Sequence, residues 1–111
     1  MSREIKFRIW DKINRMWLNH FNANLLNIGD LSNVEINLYT GLKDSEGYEI
    51  YEDDIVWNEY DEEYQVVIFY EGEYKLMGES HMQNLWGNLD YIDIRGNVYE
   101  DFEIIKAWYK E

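Results

Sequence analysis

Residues 39–57, Tyr-Thr-Gly-Leu-Lys-Asp-Ser-Glu-Gly-Tyr-Glu-Ile-Tyr-Glu-Asp-Asp-Ile-Val-Trp, contain the pattern that decides the fold. Residues 43–47 predict a turn, because Asp bonds readily to nearby backbone and Gly adopts a positive φ at little cost. Tyr48 and Ile50 begin a strand after this turn. The apolar run at residues 55–57 then fits a short strand that is buried on both faces.

Outward from this stretch, apolar and polar residues alternate with the period of two that is typical of β-strands. Ile5, Phe7 and Ile9 alternate in this way, and a turn at residues 11–15 followed by an apolar return segment at 16–18 predicts a hairpin. The same reasoning predicts strands at residues 34–38, 65–70, 73–77 and 91–94, with a bend at 95–97 before a further strand segment at 98–99. Residues 19–34 lack a clean period and are predicted to be a loop or short irregular strands.

One helical signal interrupts the strands. Ser80 and Gln83 have the spacing of a capping box, and Gly87 is a stop signal, so a helix of about two turns is expected at residues 80–86. Met82, Leu85 and Trp86 would share one of its faces. The apolar residues at 104–109 are expected to pack back onto the domain.

The predicted fold class follows from short strands, frequent glycine turns and a single short helix. It is all-β and mainly antiparallel, a small SH3-like barrel or one or more partly open β-barrels, in one domain over residues 1–111. Truncation of a buried side chain would be costly at the predicted core positions. These positions are Ile55, Val56, Val67, Phe69 and Ile94.

Three segments of the chain resemble the YopX-like proteins of phages and prophages. Residues 39–44 read Tyr-Thr-Gly-Leu-Lys-Asp, and a Gly at 47 precedes Glu-Ile-Tyr-Glu and then Asp-Ile-Val. Residues 6–11, Lys-Phe-Arg-Ile-Trp-Asp, and 96–100, Gly-Asn-Val-Tyr-Glu, extend the resemblance over nearly the whole chain. One departure is that Asp53 stands where the family usually has Gly. The resemblance implies an accessory protein of a phage or prophage.

The net charge of the chain limits the kinds of partner that it can bind. The 111-residue chain has a formal net charge of −13, and ten acidic residues but no Lys or Arg lie between Asp44 and Glu63. Such a chain repels phosphate backbones and anionic membrane surfaces, so we expect no direct nucleic-acid binding and no membrane association. The N-terminal residues lack the apolar core of a secretion signal, which leads us to expect a cytoplasmic protein.

No catalytic motif is present. The chain has no Cys, its two histidines, His20 and His81, are far apart in sequence, no Ser lies in a Gly-x-Ser-x-Gly setting, and no Gly-rich phosphate loop occurs. We therefore expect a protein that is not an enzyme and that uses no cofactor. A hard-cation site built from Asp53, Asp54 and residues 61–63 is an alternative for the acidic run, but the spacing of an EF-hand loop is missing, so no metal is predicted.

The best functional hypothesis is protein binding through an acidic surface rich in aromatic residues. Ten Tyr and five Trp exceed what one small core can bury, and exposed rings are enriched at interfaces. The partner would be a host or phage protein, or a second copy of the chain in a structural homo-oligomer. Another alternative is that the carboxylates imitate a nucleic-acid backbone and inhibit a nucleic-acid enzyme. The predicted binding residues are Asp53, Asp54, Tyr60, Asp61, Glu62, Glu63 and Tyr64.

Overall fold

The computed structural model describes residues 6–18 and 32–110. Within these two ranges the chain forms nine strands and two 3-10 helices. The strands are β1 Phe7–Asp11, β2 Met16–Leu18, β3 Val34–Lys43, β4 Glu49–Tyr51, β5 Asp54–Asn58, β6 Glu63–Tyr70, β7 Glu73–Met77, β8 Met82–Asn84 and β9 Ile92–Asn97. The 3-10 helices are Trp86–Tyr91 and Phe102–Ile104.

The strands form two antiparallel sheets. One has the order β2-β1-β3-β4 and the other the order β8-β7-β6-β5-β9. The predicted all-β, antiparallel class is confirmed, and one of the sheets resembles half of a barrel. The predicted hairpin near the start is also present, with Trp10 opposite Trp17. The irregular segment predicted at 19–34 lies mostly outside the described residues, and β3 begins at its last residue, Val34.

The five-stranded sheet is buried on both faces around β5, as the apolar run at 55–57 predicts. Neighbouring residues of a strand point to opposite faces, and Ile55 and Val56 accordingly belong to different core clusters. Both are fully buried. The first cluster consists of Ile50, Val56, Val67, Leu76, Leu85 and Ile92. The second consists of Ile55, Val66, Val98 and Ile105.

The C-terminal segment covers the second face, as expected from its apolar residues. Ile105 is fully buried in the second cluster, and the partly buried rings of Trp108 and Tyr109 pack against that cluster. Backbone hydrogen bonds from the amides of Trp108 and Tyr109 to the Ile105 carbonyl hold the segment in turns. The chain end is therefore part of the folded domain up to the last described residues.

One predicted core residue is wrong. Phe69 is 56% exposed, although it lies on the strand with the strongest β-propensity. The reason is register: β5 pairs with β6 only as far as Val66, whereas the β6–β7 hairpin continues to Tyr70. Phe69 lies on this overhanging part and contacts Tyr74 edge-on, with ring centroids 5.1 Å apart. Ile94, also predicted to be core, is only partly buried and packs against the first cluster.

The predicted helix at 80–86 is wrong in position. Residues 82–84 form β8 on the edge of β7, where Gln83 lies opposite Leu76. Strand pairing satisfies the backbone here, and the Gln83 side chain donates to Asp61 instead of capping a helix. Leu85, which is fully buried, ends this segment, and the 3-10 helix starts after it at Trp86.

The bend predicted at 95–97 is present as a bulge. β5 and β9 pair at Ile55 and Gly96 and again at Val56 and Ile94, which leaves Arg95 as an extra residue. The strand predicted for 98–99 is wrong, because these residues form a turn. The Asn97 side chain accepts hydrogen bonds from the amides of Tyr99 and Glu100, and such Asn-mediated turns compete with strand pairing.

Alanine at position 96 is expected to lower the free energy of unfolding by about 1–3 kcal/mol, the cost of overpacking. Gly96 has a φ of +156°, and an added Cβ would lie 2.9 Å from the Cβ of Asp101. The Asp101 carboxylate is held in place because it accepts a hydrogen bond from the backbone amide of Asn97. Denaturant unfolding followed by Trp fluorescence measures the loss. Gly87→Ala is the control, since its Cβ would make only an ordinary 3.6 Å contact. Equal effects of the two substitutions would contradict the crowding at Gly96.

Candidate protein-interaction surface

The structure divides the seven predicted binding residues between the two ends of β5. Asp53 and Asp54 lie at its start, and residues 60–64 lie at and after the turn that follows Asn58. Four residue steps of a strand span about 13 Å. The five carboxylates considered for a hard-cation site therefore do not converge, and that alternative is wrong as stated.

Asp54 is a buried structural residue and not part of a surface. Its side chain is 2% exposed and lies 2.8 Å from an Arg8 guanidinium nitrogen. It also accepts a hydrogen bond from the Tyr51 amide at 2.8 Å. Burial raises the pKa of Asp54 to about 6, although Arg8 and the Tyr51 amide act in the opposite direction. Desolvation has a larger effect on the pKa than Arg8 and the Tyr51 amide because the carboxylate has almost no contact with water.

Asp53 is also held within the fold. The Tyr99 hydroxyl donates to its carboxylate, and the Asn37 amide donates to it at 3.2 Å. Burial and this hydrogen bond to Asp53 raise the pKa of Tyr99. Asp53 has a φ of +67°, a left-handed conformation that Gly adopts freely and Asp tolerates better than most residues. Asp at position 53 is therefore compatible with the backbone conformation that a Gly, which the family resemblance implies here, would adopt.

The turn after β5 is fixed by Asn58. The buried Asn58 side chain accepts hydrogen bonds from the amides of Tyr60 at 2.9 Å and Asp61 at 3.1 Å. Its own amide group donates to the Gln65 side-chain oxygen at 3.0 Å, and Gln65 is fully buried. These hydrogen bonds tie the turn to the sheet and restrict the conformations open to the residues at its tip.

Two of the predicted carboxylates meet a histidine. Potential ligand atoms of Asp61, Glu63 and His81 lie within 4.8 Å of one another, so these three residues could offer ligands to one cation. The Gln65 amide already donates to Asp61 at 3.0 Å and to Glu63 at 2.7 Å. The hydrogen bond from Asn58 orients Gln65. The Gln65 amide therefore lies between the two carboxylates, where a bound cation would otherwise lie.

The exposed part of this end is aromatic. Tyr60 is 74% exposed, and Trp86 is 70% exposed. The centroid of the Tyr60 ring lies 5.4 Å from that of the Tyr91 ring, and Tyr91 is also exposed. The Glu59 amide donates to the Tyr91 carbonyl at 2.8 Å, which attaches the turn to the 3-10 helix. We call residues 59–62 and 86–91 together the Tyr60 surface.

The Tyr60 surface is acidic as well as aromatic. Its two segments contain no Lys or Arg, and their acidic residues are Glu59, Asp61, Glu62 and Asp90. Glu62 is exposed, as predicted. Tyr64 is only partly buried and packs on Trp57, with ring centroids 4.9 Å apart, so it supports the sheet.

Sequence reasoning missed Trp86 and Tyr91. The predicted helix placed Trp86 on an inward face with Met82 and Leu85, whereas the 3-10 helix that begins at Trp86 leaves the ring exposed.

No described helix is long and apolar enough to cross a membrane.

Comparisons with known proteins concern both the family and the fold. The family model described as YopX protein matches residues 27–106 of the chain. The crystal structure of protein EF1440 from Enterococcus faecalis is similar, with a TM-score of 0.67 and 19% sequence identity, and the match covers 94% of this chain and 99% of that one. At this identity the likeness concerns the fold alone. No match was found among curated protein sequences.

Proposed function

The chain belongs to the YopX family, and we propose that it is a non-enzymatic protein-binding module of a phage or prophage that acts in the cytoplasm of the host cell. Its partner is a host or phage protein, and contact is made through the Tyr60 surface. The observation that carries this proposal is the exposure of Tyr60 and Trp86 on a rigid turn and an adjoining 3-10 helix.

The physical case rests on preorganisation. Large aromatic rings supply contact area at a small cost in side-chain entropy, and Tyr and Trp are the residues most often found to dominate binding energies. Asn58 holds the turn in place before any partner arrives, so little ordering is required on binding. The absence of Lys and Arg from the two segments favours a partner whose binding site is basic at its rim and apolar at its centre.

Nucleic-acid mimicry receives less support than protein binding through aromatic anchors. A mimic needs carboxylates that are presented to solvent at regular spacing. Asp54 is buried against Arg8, Asp53 accepts from Tyr99 and Asn37, and two further carboxylates are engaged by Gln65. A competition experiment with DNA therefore belongs in the test.

Tyr60→Ala is expected to weaken capture of the partner by about thirtyfold or more, the effect of losing an interface anchor of about 2 kcal/mol. The measurement is affinity capture from host lysate by immobilised protein at low and at high salt, followed by titration of the captured protein. Glu62→Lys should mainly slow association and reduce its salt dependence, because rim charges act on encounter.

Tyr48→Ala is the matched control, since Tyr48 is 65% exposed but lies outside the Tyr60 surface. It should leave capture unchanged. Capture that is insensitive to Tyr60→Ala and to Trp86→Ala would overturn the proposed surface. Displacement of the partner by duplex DNA would favour mimicry instead.

A further inference from the structure

A groove of about 810 Å³ opens at the opposite end of β5 from the Tyr60 surface. It lies between the β1–β2 hairpin and the C-terminal segment, and its size falls within the range of ligand pockets. Its aromatic walls include Trp10 and Tyr99, whose rings are stacked with centroids 5.4 Å apart. Phe102 and Tyr109 also line it. Trp10 itself is buried, so the ring surface that the groove offers to an incoming aromatic side chain comes from Tyr99, Phe102 and Tyr109, which are partly exposed.

Cations line the same groove. Lys12, Arg15 and Lys110 lie along it, and these three face two carboxylates, those of Glu35 and Asp53. Arg15 donates to the Tyr99 carbonyl at 2.9 Å and lies 5.7 Å from the centroid of the Trp10 ring. In a chain with a net charge of −13, this is a local excess of positive charge around aromatic rings.

We propose that the groove receives the Tyr60 surface of a second copy of the chain, so that copies associate head to tail. The inference rests on the proposed role of the Tyr60 surface in binding and names a second copy as a partner. The two surfaces are complementary in chemistry: one presents Tyr60 among carboxylates, and the other presents rings among cations. Opposed charge of this kind sets orientation and register at an interface.

The position of the two surfaces fits this mode of association. They lie at opposite ends of β5, whose four residue steps span about 13 Å, so the two surfaces do not overlap and one copy can use both at once. A contact between two different surfaces leaves one of each unused in a dimer, and further copies can add until a ring closes. The negative net charge makes two copies repel each other at long range. The attraction must therefore come from close, partly desolvated pairs of opposite charge, which salt screens less than distant charges.

Complementary variants test the proposal. A turn variant, Tyr60→Ala with Glu62→Gln, should lose the inserted surface, and a groove variant, Lys12→Gln with Lys110→Gln, should lose the receiving surface. All four side chains are exposed, so both variants should fold, which circular dichroism checks. Sedimentation equilibrium over a range of concentrations should give wild-type masses that rise beyond the dimer. Each variant alone should associate at least about tenfold more weakly.

The mixture gives the decisive result. The intact turn of the groove variant can enter the intact groove of the turn variant, so an equimolar mixture should form a 1:1 complex that does not grow. A chain that carries all four substitutions should join neither wild type nor variant. A mixture that stays monomeric while wild type associates would overturn the head-to-tail contact. A wild type that is monomeric at every concentration would overturn it too, whereas Tyr60-dependent capture of another protein would then still support the proposed function.

Discussion

Replacing Ile105 with alanine is expected to lower the free energy of unfolding by about 2–5 kcal/mol, the range for removing a buried isoleucine side chain. Ile105 is fully buried and packs with Ile55, Val66 and Val98. These residues belong to the C-terminal segment, β5, β6 and the turn after β9, so the cavity would lie where four separate segments meet. Denaturant unfolding followed by Trp fluorescence measures the loss.

The neighbouring residue supplies the control. Ile104 is 37% exposed, and the same substitution there removes the same atoms next to solvent. Ile104→Ala should therefore cost well under this amount, within about 1 kcal/mol. Equal losses at the two positions would mean that the C-terminal segment does not close the second face of the sheet through Ile105.

The strands were predictable because their pattern is local. Alternation over residues 34–38 identifies a strand but not its buried face, because Ile36 and Leu38 are 48% and 43% exposed whereas Asn37 between them is buried. The apolar run at 55–57 does report burial on both faces, since neighbouring residues of a strand point to opposite sides. The separation of Ile55 and Val56 into different clusters is a direct consequence. Phe69 could not be placed in this way, since its exposure depends on where β5 stops pairing with β6, a property of the sheet and not of the strand.

The candidate surface was predicted in part for a related reason. The exposed Tyr60 and Glu62 belong to a polar turn, which a local composition signal identifies. The buried position of Asp54 could not be predicted from its acidic neighbours, because its partner Arg8 comes from β1. Trp86 was missed because edge pairing of β8 with β7 replaced the expected helix, and pairing between strands is not visible in a short capping pattern.

The pair formed by Arg8 and Asp54 leads to the largest expected effect of a single substitution. Arg8→Met is expected to cost about 3–5 kcal/mol at neutral pH, since it leaves a buried carboxylate without its counter-ion. Besides Asp54 at 2.8 Å, the Arg8 side chain donates to the Glu52 carbonyl at 3.0 Å and to the Asn37 side chain at 3.1 Å. Methionine is shorter than arginine but replaces the apolar stem of its side chain without the charge.

The loss of stability caused by Arg8→Met should be larger at neutral pH than at acidic pH. Burial raises the pKa of Asp54 to about 6 from its ordinary value of 3.8, so the folded state binds this proton more tightly than the unfolded state. The resulting stabilisation is complete below the ordinary pKa and is lost as pH rises through about 6. The difference amounts to roughly 3 kcal/mol, at 1.36 kcal/mol per pKa unit.

Removal of Arg8 takes away a charge that lowers the pKa of Asp54, so the carboxyl group of the variant should hold its proton to higher pH. Arg8→Met should therefore destabilise the protein much less at about pH 5, where Asp54 is largely protonated, than at about pH 7.5, where wild type carries the ion pair. Unfolding free energies at the two pH values measure this difference. Asp54→Asn, whose amide oxygen can still accept from the Tyr51 amide, should abolish the pH dependence of the Arg8→Met cost when the two changes are combined. A cost that is the same at both pH values in the single variant would show that lost packing, and not the unpaired carboxylate, accounts for the destabilisation.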